Sequence, residues 1–475
     1  MNITQTFSNL AQGSNTVTLF RFTPKQEYAF TVSGPTGMTK PTKPHYLTAG
    51  ATGVDEYDSG KPLVTISGAP TYEIMVVDRG GGLVGFDTYG WVVLYVKTAN
   101  GAWDQFPAEL GDYDLVTLGA GEVTSSSGFN ELSNLDQNVK SASGDDFSSL
   151  SHEASVDYDV EGLPVLSLQT ESKYFSGLSE EQQGNKLVRW DRGNDTLEVL
   201  YDLFDFYNPV TDYGACSGRN PEDDPCRPSR RANATAGDRK LSGPWPGRAQ
   251  DWSHANSAAR GTQNNWIMSA RHLSSVISFH DDGSGIQWVL SGEGVKPSKD
   301  PKALVFDYDS EASHQYNEHC ARQLKNGNVI LFDNGDARPS TLSGTKFSRF
   351  AEFSLDTDKG VATLVWEFRP MLGSKDGKTP AYSFHAGSVY RLPNGNTVGA
   401  ASCDNEQAGT DCTHMIYESD AKGDEVARVT VPNPSDDNPM AYADWQLAEM
   451  EGRPSRGGMG YRGLPLFTLG GEHAA

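Results

Sequence analysis

Histidines recur in this sequence at one kind of place, just ahead of short apolar strands. His254 stands in DWSHANS, between Trp252 and Asn256, and the stretch runs on through a polar turn into Trp266-Ile267-Met268 before ending on Arg271 and His272. His319 opens HCARQLKNGNVILFDNG, and His385 stands in FHAGSVYRLPNGNTVGAASC, each upstream of an Asn-Gly-Asn turn and a strand. His152, Arg349 in FSRFAEF and His414 in CTHMIYES hold comparable strand-entry positions. Imidazoles take up and release protons near neutral pH, and a guanidinium stays charged at any working pH. Brought together, such groups can grip a tetrahedral anion and move protons around it. Metal catalysis ranks second, since no two of these histidines share an i, i+4 spacing or a carboxylate motif. No metal or other cofactor is expected.

The elements that must position these residues are strands. From Tyr72 a recurrent unit appears, in which an apolar strand runs into a turn with Asp and Gly and a second apolar or aromatic strand returns. The copies are YEIMVVDRGGGLVGFDTYG, KLVRWDRGNDTLEVLYDL from Lys186, SVISFHDDGSGIQWVLSG from Ser275, RFAEFSLDTDKGVATLVWEF from Arg349 and MIYESDAKGDEVARVTV from Met415. Short hairpin loops need residues that tolerate a positive φ or bond their own backbone, which explains the Asp and Gly. The histidine-bearing strand pairs fall between these hairpins, so each unit holds about four strands. Four-stranded units repeated around an axis make a β-propeller, which leaves few unpaired edges. Residues 1–70 alternate in the same β manner with Gly, Pro and Thr turns and read as a small separate β-rich domain; residues 71–475 carry the propeller. The stretches 211–250 and 291–313 read as long inter-strand loops. A multi-domain sandwich protein is the competing fold.

The chain has 475 residues, and its 62 acidic against 39 basic side chains give a formal charge of −23. That field repels nucleic acid and anionic lipid, so an anionic substrate is held only where local Arg and His outweigh it. No apolar run reaches the ~18 residues of a membrane helix, and the first twenty residues lack the pattern of a signal peptide. Cys216 and Cys226 bracket one polar loop and Cys403 and Cys412 another, as disulfides or as free thiols, which leaves Cys320 odd among the five. With sequons at Asn2, Asn194 and Asn233, these pairs favour an oxidising compartment, whether extracellular, periplasmic or secretory.

The ordered set DWSHANS…MSARH, EHCARQLKNGNVILFDNGDARP, FSRFAEFSLDTDKGVATLVWEF and RLPNGNTV…CTHMIYESD resembles the arylsulfate sulfotransferases, best between His152 and Val431. The resemblance implies an all-β fold, a six-bladed β-propeller preceded by a small β-sandwich. It also implies transfer of a sulfuryl group from a phenolic sulfate to a phenol or other hydroxyl acceptor, without a nucleotide sulfate donor, through a sulfated histidine in a ping-pong sequence. On this likeness His414 is the nucleophile, and His254, His319 and Arg349 complete the catalytic set. His152, Asn256, Arg271 and His385 are expected to line the substrate pocket, and Cys403 and Cys412 match a disulfide close to the nucleophile. The expected partners are the small donor and acceptor, with a homodimer left open. Cys320 and the insertion 211–250 depart from the family pattern.

Each residue also has a plainer explanation. A lone histidine in a β protein usually bonds a carbonyl or lies at the surface, and Arg349 can pair with Glu352 or another acid. The same scaffold can also serve sulfate-ester hydrolysis or an elimination, or bind partners without catalysis.

Overall fold

The computed structural model describes residues 27–30, 45–48, 59, 61–78, 82–97, 106–111, 114–118, 128–133, 137–214, 250–339, 346–371, 380–383, 386–401, 414–432 and 463–466. Among them the secondary structure is nearly all strand, with one four-residue helix, Leu203–Phe206, and short 3-10 turns. None of the described helices is long and apolar enough to cross a membrane.

The architecture is propeller-like, built from successive four-stranded antiparallel meanders. Phe106–Gly111 to Gln137–Ser143 form one, and Leu150–Val156 to Thr196–Asp202 form the next. Ala255–Arg260 to Ile286–Ser291, His319–Gln323 to Val361–Phe368 and Ser388–Arg391 to Glu425–Val431 follow. Gly463–Leu466, near the chain's end, pairs antiparallel with Ile74–Asp78 and completes a sheet begun early in the sequence. The first strands pack side by side around the molecule. Phe106–Gly111 lies against Leu150–Val156, then come Ala255–Arg260, His319–Gln323 and Ser388–Arg391, and Gly463–Leu466 returns to Phe106–Gly111.

Six separate blades are not what the strand pairing draws. The stretch expected to be loop at 291–313 contains a strand, Leu304–Tyr308, which pairs in parallel with Ile286–Ser291 on one side and Val361–Phe368 on the other. Two meanders are thereby fused into one nine-stranded sheet. Thr65–Gly68 extends the sheet of Glu425–Val431, and Glu27–Phe30 pairs with His45–Thr48.

All five predicted hairpins are present. The first is out of step with the rest, because Ile74–Asp78 and Gly82–Asp87 are the second and third strands of their sheet, not the third and fourth. The equivalent turn there follows Asp87, whose Oδ1 accepts from the amides of Tyr89 and Trp91 while Gly90 takes a φ of 86°. The Asn-Gly-Asn turns do more than turn. Gly327 and Gly395 supply the left-handed residue, and the second asparagine reaches a buried carboxylate on the third strand. Asn328 Nδ2 donates to Glu352 at 2.6 Å, and Asn396 Nδ2 to Glu418 at 2.6 Å. Glu352 also takes Arg391 of the next meander, and Glu418 takes Thr71.

Between the sheets lies the core. Trp190 stacks on Phe129 at 4.8 Å, Tyr201 on Phe279 at 4.4 Å and Phe204 on Trp252 at 5.5 Å. Truncating rings buried in this way costs about 3–5 kcal/mol each.

Candidate active site

In a meander the first strand starts, the second ends and the third starts at the same end. His152 in Leu150–Val156, His254 just before Ala255–Arg260, and His319 at the head of His319–Gln323 therefore share one rim of the molecule. So do Arg271 and His272, between the second and third strands of their meander, and Arg349 and His414, which each begin a third strand. The backbone is unusual at the three first-strand positions. His152 and His254 have φ of 61° and 43°, and Cys320, directly after His319, has 54°. His152 and Cys320 lie within register shifts, between Ser151 and Ser155 and between His319 and Arg322, and His254 immediately precedes one between Ala255 and Ser257. A bulge with a non-glycine left-handed residue re-aims a side chain at a local cost of about 1–3 kcal/mol, and such strain gathers at functional sites.

At this rim His254 is the centre of a stack. Its ring lies 5.0 Å from that of His152 and 4.6 Å from that of His272. His254 Nδ1 meets Asp251 Oδ2 at 2.5 Å, and its amide donates to Asp251 Oδ1 at 3.2 Å. Burial pushes the Asp251 carboxyl up, but the adjoining His254, then His272 and His152, outweigh it and hold the group well below the usual carboxylate range. An ionised Asp251 fixes the Nδ1–H tautomer of His254 and turns Nε2 outward. Nε2 is bonded to none of the described residues, and the side chain is 26% exposed.

His272 has a different environment. Nδ1 lies 2.8 Å from the Asp251 carbonyl oxygen, and Nε2 lies 2.8 Å from Arg271 Nη1. Burial, followed by the nearby His254 charge, pulls its pKa down to about 3. Asp251, His254 and His272 bring ligand atoms within 4.8 Å of one another, close enough to bracket a cation. The donor set does not fit one, because the His272 Nε2 lone pair accepts from Arg271 and its Nδ1 carries a proton toward a carbonyl.

His319 is fully buried, with Nδ1 2.7 Å from Asn334 Oδ1 and Nε2 accepting the Ala386 amide at 3.2 Å. Asn256 Nδ2 donates to the Glu318 carbonyl, tying the strand entries of His254 and His319 together. Glu318 itself is fully buried, and its Oε1 accepts from Ser269 at 3.0 Å. Burial, with Asp333 and Glu293 adding, pushes its carboxyl up to about 8.

The remaining expected residues are placed differently. All five N–H groups of Arg349 are engaged internally, with Asp333 at 2.8 Å, Glu367 at 2.9 Å and the carbonyls of Ala312, Ser313 and His314. Glu352, the partner weighed for it in the sequence, bonds Arg391 instead. Arg271 is buried, its Nη2 on Asp336 at 2.6 Å. His414 is buried at the start of its strand, 4% exposed. His385, Cys216, Cys226, Cys403 and Cys412 lie outside the described residues, and Cys320 is a buried free thiol. Trp252 is interior, its Nε1 on the Asp212 carbonyl. Sequence reasoning did not assign Asp251, His272, Asp336 or Tyr382 a part. Asp251 and His272 bound the DWSHANS…SARH stretch itself, whereas nothing local marks the other two.

The family model described as Arylsulfotransferase (ASST) matches residues 75–442. The arylsulfate sulfotransferase AssT of Escherichia coli O6:H1 is 29% identical over 160 residues, covering 30% of this chain and 25% of that protein. AssT of Lelliottia amnigena is 24% identical over 163 residues, with 30% and 25% covered. The chain thus spans about a quarter of the length of these curated relatives. Among solved structures, TolB from Acinetobacter baumannii aligns over 83% of this chain and 73% of its own at 15% identity, with a TM-score of 0.39. The family match extends over most of the chain and over every described residue of the histidine rim, and the chain belongs to the arylsulfotransferase family.

Proposed function

We propose that this protein is an enzyme that moves a sulfuryl group from an aryl sulfate to a phenol or other hydroxyl acceptor without a nucleotide donor. The observation that carries the reading is the Asp251–His254 pair, with His272 stacked on the His254 ring and His152 tilted against it, at the rim where the first strands begin. A carboxylate-held imidazole with its other nitrogen outward is the arrangement required of a proton carrier.

In the first half-reaction His414 attacks sulfur, the bond from sulfur to the phenolic oxygen breaks, and a nitrogen–sulfur bond forms. His254, entering this step as the imidazolium with Nδ1–H on Asp251, gives its Nε2 proton to the departing phenolate and is left as the neutral Nδ1–H ring. In the second, the acceptor hydroxyl gives its proton to His254 as its oxygen takes the sulfuryl group and the nitrogen–sulfur bond breaks. Two half-reactions through one covalent intermediate predict ping-pong kinetics. Sulfuryl transfer, like phosphoryl transfer, needs charge placed around equatorial oxygens, and in a chain of net charge −23 that charge is supplied locally by the His254 imidazolium and by Arg271 beside His272. Arg349, engaged on every donor, serves this reading by fixing the 312–314 segment next to His319, while Asn256 and the buried Arg271 support the rim from beneath.

A second assignment rests on one contrast. The His254 side chain is partly exposed while His414 is buried, so His254 itself can be the nucleophile. We read the fused sheet as two blades, which makes six, with an N-terminal unit before Thr65–Gly68, the strand that joins the blade of Glu425–Val431. The sequons and the paired cysteines outside the described residues favour work beyond the cytosol.

Mass spectrometry of protein quenched after exposure to 4-nitrophenyl sulfate alone tests all of this. A sulfo adduct on the His414 peptide supports the first assignment, and one on the His254 peptide the second. Nitrophenol release indifferent to added phenol indicates hydrolysis, and absence of both adduct and release leaves a binding propeller.

A further inference from the structure

The histidine stack sits at the end of a hydrogen-bonded chain that crosses three meanders. Lys346 Nζ donates to Tyr382 Oη at 3.2 Å, and Tyr382 donates to Asp336 Oδ1. Asp336 Oδ2 accepts from Arg271 Nη2 at 2.6 Å, and Arg271 Nη1 reaches His272 Nε2 at 2.8 Å. His272 Nδ1 then meets the carbonyl of Asp251, whose carboxylate holds His254. Asn317 clamps the middle, donating to the Arg271 carbonyl and accepting from the Ala337 amide.

Two of these contacts fix a proton without any hydrogen being seen. Arginine has no lone pair to offer, so His272 Nε2 must accept. A backbone carbonyl cannot donate, so His272 Nδ1 must carry the hydrogen. A second proton on this ring would lie at Nε2 against the Arg271 charge, with His254 stacked alongside and His152 tilted against His254. Asp251 is the anion facing it, and its carboxylate is turned to His254. The two rings, 4.6 Å apart, therefore face opposite charges, guanidinium for one and carboxylate for the other.

We infer that Arg271, Asp336 and Tyr382 are positioning residues that hold His272 as a neutral Nδ1–H imidazole beneath His254, so that of these two stacked rings only His254 carries an exchangeable proton. The inference rests on the proposed proton-carrying role of His254 for its purpose, but not for its geometry. Low pKa at His272, from burial and its charged neighbours, agrees with it. Asp336 matters because it anchors the Arg271 fork, and Tyr382 and Lys346 because they keep that carboxylate oriented.

Nitrogen-15 NMR of the histidine rings in the whole protein tests this without substrate, with the His272 signal identified by its loss in His272→Gln. In the wild type, His272 is expected to show one neutral Nδ1–H ring from about pH 5 to about pH 8, the range in which an ordinary histidine titrates. Arg271→Met should let His272 take up a proton within that range. Asp336→Asn, a milder change should Arg271→Met fail to fold, should mix the two tautomers and average the ring-nitrogen shifts. An Nε2–H ring in the wild type, or a His272 signal unchanged in a folded variant, overturns the inference. Wild-type protein that shows the expected ring but transfers no sulfuryl group would remove the proposed function and leave this chain standing.

Discussion

Asp251 Oδ2 and His254 Nδ1 are 2.5 Å apart, and the two residues are only three positions apart in the chain. The same aspartate holds the backbone amide of His254, so one side chain sets both the left-handed turn and the ring that it presents.

Asp251→Asn should therefore keep the fold and lose the tautomer. Since an amide is uncharged and can turn its NH2 to Nδ1 and favour the Nε2–H ring, kcat for sulfuryl transfer is expected to fall by about 10⁴-fold, by analogy with a carboxylate-to-amide change in a catalytic triad. KM should change little. Steady-state kinetics with 4-nitrophenyl sulfate and phenol reads this, and a loss confined to KM would count against a proton-carrying His254.

Arg349 gives a contrasting expectation. It pairs across the strands with Asp333, both fully buried, and removing it leaves Asp333 with Arg338 and the Tyr316 amide as partners while three carbonyls lose their donor. Arg349→Ala should cost about 3 kcal/mol of stability, the lower end of the range for breaking a buried pair from one side, since Arg338 still holds Asp333. Denaturant unfolding measures it. A folded variant of normal stability with a sharply raised donor KM would instead put Arg349 on the substrate.

Glu318 predicts a pH dependence of stability. Its folded pKa of about 8 lies above the ordinary 4.5, so the folded state binds the extra proton between these values. The contribution is complete below about pH 4.5, declines as pH rises and is gone above about 8. Glu318→Gln should remove a slope of up to about 1.4 kcal/mol per pH unit within that window. Unfolding curves for both proteins at stepped pH should converge toward low pH and separate toward pH 8, with the variant the more stable there.

The Asn-Gly-Asn turns can be tested in parallel. Asn328→Ala and Asn396→Ala each remove a 2.6 Å donor from a buried carboxylate, at an expected cost of about 1–3 kcal/mol each. Thermal unfolding of the single variants and the double variant checks this, and because Arg391 bonds both Glu352 and the Gly395 carbonyl beside Asn396 the two costs should depart from additivity.

Much of this fold was legible because its units are local. Alternation along a strand, an Asp and Gly at a tight turn, and an Asn-Gly-Asn between two apolar runs are each determined within about twenty residues, and every predicted hairpin is present. Leu304–Tyr308 escaped because it pairs in parallel with strands on either side of it, and a single isolated strand leaves no hairpin signature. The out-of-step first hairpin escaped for a related reason, since its sheet takes its first strand from the far end of the chain.

The sequence by itself determined the β architecture, the order of its strand pairs and the positions at which histidines enter them, because backbone geometry and side-chain alternation act over short distances. Only the tertiary structure decided which of those side chains are turned toward one another and which are already occupied. His254 and Arg349 look alike in the sequence as polar residues at strand entries. One meets a carboxylate and keeps a nitrogen facing outward, and the other has every donor engaged by groups brought from neighbouring strands. Occupancy of that kind depends on which distant partners arrive with matching hydrogen-bonding capacity, and no local pattern carries that information.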